Sequence, residues 1–104
     1  MNLSHAKVST ESLKGKDLSG ANLSYVDLSE HDLAGTNLSD SMLWRTNLSR
    51  IDLSSTTITN VSSSYENLSE SKLPASLANN NFNLTKLTNI NVAVKDFAGS
   101  SFNP

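Results

Sequence analysis

Leucine recurs at every fifth position from Leu18 to Leu53 without a miss: Leu18, Leu23, Leu28, Leu33, Leu38, Leu43, Leu48 and Leu53. An α-helix, with about 3.6 residues per turn, carries such a row around its axis, and a strand throws alternate members to opposite faces. A five-residue row stays on one side only if the chain changes direction once per five residues. A chain that turns at a fixed interval stacks its turns into a solenoid, each unit burying its apolar face on its neighbour. The row continues in phase through Ile58, Ser63, Leu68 and Leu73, and is preceded in phase by Leu3, Val8 and Leu13. Between Leu73 and Leu77 the spacing drops to four, and a second row runs Leu77, Phe82, Leu87, Val92, Phe97, Phe102. Pro74 sits in that slip. Proline has no N–H to donate, so residues 74–76 read as a local disruption of the coil and not as a domain boundary.

The neighbours of each central residue recur as well. The preceding position is Asp17, Asn22, Asp27, Asp32, Asn37, Met42, Asn47, Asp52, and the following one Ser19, Ser24, Ser29, Ala34, Ser39, Trp44, Ser49, Ser54. The position two before is mostly small or β-branched, as at Ala21, Val26, Thr36, Ser41, Thr46, Ile51, Thr56 and Val61. The motif, clearest in Ala21-Asn22-Leu23-Ser24-Tyr25, resembles the pentapeptide-repeat family, closely over residues 16–75 and loosely elsewhere. The resemblance implies an all-β fold: a right-handed quadrilateral parallel β-helix with one pentapeptide per side, four per coil and about five coils in all. The central residue and the one two before it then point inward, the other three outward. Residues twenty apart stack at the interstrand spacing of about 4.8 Å.

The chain of 104 residues reads as one domain. Its hydrophobic content of 37% is lean for a globular core but sufficient for a narrow column. With no cysteine there is neither a disulfide framework nor a thiolate metal site. No apolar run is long enough to span a membrane, and Met-Asn-Leu-Ser-His is no export signal. A cytoplasmic protein is expected, or one secreted into a host cell if the chain belongs to an effector. The Asn-X-Ser/Thr triplets at Asn22, Asn37, Asn47, Asn60, Asn67 and Asn83 are by-products of the repeat.

Nothing in the pattern points to an active site. His5 and His31 fall in different coils. His31 takes an inward position meant for a small residue, where an imidazole at a widened corner bonded to backbone is the expected arrangement. There is no phosphate-binding loop, no nucleophile elbow and no His pair at metal spacing. The serines are outward repeat residues, so no catalytic residue, metal or cofactor is expected.

Function therefore lies on the outside. The side centred on Leu18, Leu38 and Ile58 shows short polar ladders. That centred on Leu28, Leu48 and Leu68 carries Glu30, Arg50 and Glu70 in one column, an expected surface ion-pair ladder. The side centred on Leu23, Leu43 and Ser63 differs: Tyr25, Arg45 and Tyr65 share a column, while Met42 and Trp44 replace the usual Asn and Ser. These are residue types enriched in protein interfaces, and Tyr25, Met42, Trp44, Arg45 and Tyr65 are the candidate partner-binding residues. Ser63 in place of a leucine, with Glu66 at an inward position, predicts a cavity or drawn-in coil and a weakened segment over residues 61–70.

Residues 1–15 are Lys-rich and loosely periodic, a frayed or capping coil. The pattern runs straight into Phe102-Asn103-Pro104, which suits either end-to-end dimerisation or a place within a longer polypeptide. From Asp17 to Glu70 eight acids face only Arg45 and Arg50, a net −6. Some members of the resembled family mimic duplex DNA and bind DNA gyrase. Others serve as substrate-recognition domains of bacterial secreted effectors, such as ubiquitin-ligase-like proteins. No basic patch for direct nucleic-acid binding is present. The reading is a non-enzymatic bacterial interaction module presenting a flat face to a protein partner, or to a second copy through the Trp44 face or the C-terminal end. A gyrase or topoisomerase modulator and an effector recognition domain are the alternatives.

Overall fold

The corners are built first, from local hydrogen bonds. Ala21 N–H donates to Leu18 O at 3.0 Å, Val26 to Leu23 at 3.2 Å, Thr46 to Leu43 at 3.2 Å, Glu66 to Ser63 at 3.0 Å and Thr85 to Phe82 at 3.1 Å. Each bond closes a four-residue turn whose third member has a positive φ, such as Gly20 (71°), Tyr25 (66°), Arg45 (55°), Tyr65 (63°) and Leu84 (60°). That is the signature of a type II turn. The residue before the central one supports it: the Asn or Asp Oδ1 accepts the N–H two residues on, as from Ser19 to Asp17 (3.0 Å), Ser39 to Asn37 (2.9 Å) and Ser69 to Asn67 (3.0 Å). Short polar side chains recur at this position because they bond their own backbone in a turn.

The computed structural model describes residues 2–4, 13–29, 31–90 and 97–101. Parallel bridges join positions twenty apart: Asp17 to Asn37 to Thr57, Asn22 to Met42 to Ser62, Asp27 to Asn47 to Asn67, and Asp52 to Lys72. Past the slip the interval becomes nineteen, in Ser62 to Asn81 and Asn67 to Lys86, and it returns to twenty in Asn81 to Ser101. The bridges are isolated: among the described residues a side contributes at most a single bridging position between two turns. The all-β fold is therefore a ladder of single bridges and corners. It forms a block of 32 × 21 × 21 Å.

Inside, the rows of central residues line the bore. Leu18, Leu23, Leu28, Leu33, Leu38, Leu43, Leu48, Leu53, Ile58, Leu68 and Leu73 are buried, as are Leu77 and Phe82 of the second row. Leu87 and Phe97 pack against this core while partly exposed. Phe82 meets Phe97 edge to face, with ring centroids 6.4 Å apart. Val92 and Phe102, the latter expected to stack on Phe82, lie outside the described residues, as do His5 and Glu30. Each fully buried leucine contributes roughly 1.5–3 kcal/mol.

Threonine at the position two before solves a second problem. Its hydroxyl is buried and must find an acceptor. Thr36 Oγ1 donates to Leu13 O at 2.7 Å, Thr46 Oγ1 to Leu23 O at 2.9 Å, Thr56 Oγ1 to Leu33 O at 2.7 Å and Thr85 Oγ1 to Ser63 O at 2.9 Å, each reaching down to the coil beneath.

One expectation needs correction. Arg50 and Glu70 form no ion pair among the described residues; Arg50 instead lies close enough to Asp27 to favour its charged form, after the larger effect of the Ser29 hydroxyl and N–H. Around Ser63 the freed room is not simply void. Its hydroxyl donates to Asn81 O at 2.6 Å, and the Glu66 side chain packs beside it, fully enclosed.

Candidate protein-interaction face

One side of the coil collects the large apolar groups that the core leaves out. Among the described residues five large hydrophobic side chains are exposed, Tyr25, Met42, Trp44, Tyr65 and Leu84, at 40–47%. All five lie on the side centred on Leu23, Leu43, Ser63 and Phe82. Tyr25, Arg45, Tyr65 and Leu84 are its successive corners, tied by Tyr25 N–H to Trp44 O (2.8 Å), Arg45 N–H to Ser64 O (3.2 Å) and Tyr65 N–H to Asn83 O (3.3 Å). Sequence reading placed the first three in one column and stopped at Tyr65, so Leu84 was missed. The signal was there: Leu84 stands two after Phe82 in the second row, as Tyr65 stands two after Ser63.

The side chains are organised. The Arg45 guanidinium carbon lies 4.5 Å from the centroid of the Tyr65 ring, a cation–π distance. Trp44 meets the same ring edge to face at 5.7 Å. Tyr65 is thus held from two directions, and Arg45 is the only charged side chain among the described residues of this side.

The backbone under this face is the less favourable choice. A bulky residue with φ near 60° costs roughly 1–2 kcal/mol relative to its right-handed form. The adjoining side meets the same requirement with Gly20, Asp40, Asn60, Asn79 and Gly99, the types that tolerate it. Met42 and Ser62 also stand where Asn or Asp would close the turn bond, leaving the middle of the face without it.

His31 is half-buried at another corner, on a groove of about 310 Å³ with Ser29, Asp32, Leu33, Arg50, Ile51 and Asp52. No bridge joins residues 32 and 52 among the described residues, so the stack gapes where the imidazole replaces a small side chain. Among the described residues no group of three or more His, Asp or Glu is placed to hold a metal ion. No helix there is long and apolar enough to cross a membrane.

With coil, register and face in hand, comparison places the chain in a known class. The family model of pentapeptide repeats matches eight copies, over residues 2–40, 17–54 and 32–62. The chain belongs to the pentapeptide-repeat family, whose fold is the right-handed quadrilateral β-helix. Among solved structures it is similar to HetL, a pentapeptide repeat protein involved in heterocyst differentiation regulation from the cyanobacterium Nostoc sp. strain PCC 7120, at 24% identity, TM-score 0.58, over 95% of this chain and 46% of that one. A pentapeptide repeat protein of the Arabidopsis thaliana thylakoid lumen matches at 24% identity and TM-score 0.35, over 86% and 59% of the two chains. QnrB1, a plasmid-mediated fluoroquinolone resistance protein, matches at 14% and 0.31, over 98% and 60%. The chain thus spans about half to three-fifths of the length of these structures. No curated protein sequence matches it.

Proposed function

We propose that the chain is a non-enzymatic protein-interaction module whose working surface is the side carrying Tyr25, Met42, Trp44, Arg45, Tyr65 and Leu84. One observation carries the reading: among the described residues every exposed large hydrophobic side chain sits on this side, and Tyr25, Arg45, Tyr65 and Leu84 hold its left-handed corners where glycine, asparagine or aspartate stands on the side next to it, Arg50 and Glu70 being the other bulky residues at such corners. Strain kept against a cheaper alternative is a pointer to function. The composition fits, since Trp, Tyr and Arg dominate interface hot spots and a single charge among rings leaves little to desolvate.

The acidic rod supports the gyrase reading less than its sequence suggests. Glu66 is inward, which brings the outward charge of the segment from Asp17 to Glu70 to −5. None of that acid lies on the aromatic side.

Affinity capture from extracts of the source cells tests the proposal. Wild type should retain a specific protein that Trp44→Ser/Arg45→Asn loses, while Asn37→Ala on the adjoining side keeps it. Equal retention by the double variant, with its fold intact, overturns the reading. Gyrase supercoiling should be unaffected by a large excess of the chain; inhibition would favour the DNA-mimic alternative instead.

A further inference from the structure

Glu66 is the one titratable side chain that the described core encloses, at 1% exposure. Neither carboxyl oxygen receives a hydrogen bond of good geometry; only the Ser63 hydroxyl lies close enough to favour the charged form, against the larger and opposite effect of burial. The Ser63 hydroxyl beside it is committed to Asn81 O. No opposite charge faces it either. The coil below contributes Thr46, Leu43 and Leu48, the coil above Thr85, Phe82 and Leu87, and the opposite sides Ile58 and Leu73. The titratable and charged side chains of the same and neighbouring sides in this coil and those packed on it, Arg45, Arg50, Asp52, Tyr65, Glu70, Lys72 and Lys86, are all exposed and outward. His31 lies two coils lower at a different corner.

The carbonyl ladder says what this position needs. At the same corner Thr46 gives its hydroxyl to Leu23 O and Thr85 gives its own to Ser63 O. Leu43 O is the acceptor between them, and among the described residues it receives only the N–H of Thr46. Glu66 occupies the donor's place. An ionised carboxylate can only accept, whereas a protonated one has an O–H to give. The room for its longer side chain comes from Ser63, where the row would otherwise put a leucine.

We propose that Glu66 is carried as a neutral acid and that its proton keeps the coil beginning at Val61 closed, so that losing the proton loosens the coil beneath Tyr65 and Trp44. The sign follows from linkage. Burial raises the Glu66 carboxyl well above its usual value of 4.5, so the folded chain holds a proton that the unfolded chain releases. This contribution to stability is complete below about pH 4.5 and is lost as pH rises from there toward the folded value. It stands apart from the interaction reading; only its effect on partner binding rests on that reading.

Amide exchange over residues 61–70, corrected for intrinsic base catalysis, tests it between about pH 4.5 and pH 8. The opening constant of the wild type should rise by up to about tenfold per pH unit, with a parallel shift in emission of Trp44, the chain's only tryptophan. Glu66→Gln, neutral and still a donor, and Glu66→Thr, which restores the hydroxyl ladder, should both show a flat profile. A flat wild-type profile, or the same slope in either variant, overturns the proposal. Failure of partner capture leaves these profiles unchanged, so the two readings fail separately.

Discussion

At the scale of single residues, backbone angle decides what a leucine is worth. Leu48 and Leu84 hold different positions of the repeating unit: Leu48, a central residue, is fully buried in the bore, while Leu84 stands 46% exposed on a corner with φ 60°. Truncating Leu48 to alanine should cost about 2–5 kcal/mol, transfer and cavity together. Leu84→Asn loses about half of a leucine's burial, roughly 1 kcal/mol, and regains roughly 1–2 kcal/mol of left-handed strain. Thermal unfolding should therefore fall steeply for Leu48→Ala and stay level or rise for Leu84→Asn. A drop in the second comparable to that in the first would contradict the strain argument. The residue pattern itself was legible in the sequence, because the five-residue period puts the leucine row on one side and the resemblance to pentapeptide repeats assigns the remaining positions inward or outward. The angle at each corner was not: the same spacing accommodates Gly20 and Tyr25, and only coordinates show that both adopt it.

At the scale of a side and its corner, the elements are coupled through the bore. Sequence reading took Ser63 and Glu66 together as one weakened segment, and the structure sets the two side by side, the small Ser63 next to the enclosed Glu66 side chain. Ser63→Leu alone should overpack against Glu66 and destabilise by about 1–3 kcal/mol. Combined with Glu66→Thr it recreates a standard repeat, and the pair should be more stable than either single variant, with a coupling of roughly 1–3 kcal/mol. A double-mutant cycle by urea unfolding measures this; additive effects would show that the two side chains do not share space. The aspartates of the corner turns work with the opposite sign. The Ser19, Ser29 and Ser54 hydroxyls, then the N–H groups of the same residues, hold Asp17, Asp27 and Asp52 below their usual value of 3.8. Their contribution is complete above that value and is lost as pH falls from there toward the lower folded values. Being exposed, they give a shallow acid limb beside the alkaline one expected of Glu66.

At the scale of the whole molecule, period five made the chain a solenoid, and the resemblance to pentapeptide repeats supplied its four sides and twenty-residue stacking. What these left open was how the chain crosses Leu73 to Leu77. A four-residue interval could have broken the stack; instead the coil absorbs it on one side and the ladder resumes at nineteen. That resumption is what carries Leu84 over Tyr65 and extends the aromatic face by one storey. Since the natural chain has no cysteine, the register can be read by a disulfide, which closes only when Cα atoms lie within about 4.4–6.8 Å and the side chains face each other. The most direct test compares Tyr65→Cys/Leu84→Cys with Tyr65→Cys/Thr85→Cys under mild oxidation, scored by free thiol. The nineteen-residue pair should close readily and the twenty-residue pair stay reduced; closure of the second in preference to the first would move Leu84 off the column and contradict the interaction face built upon it.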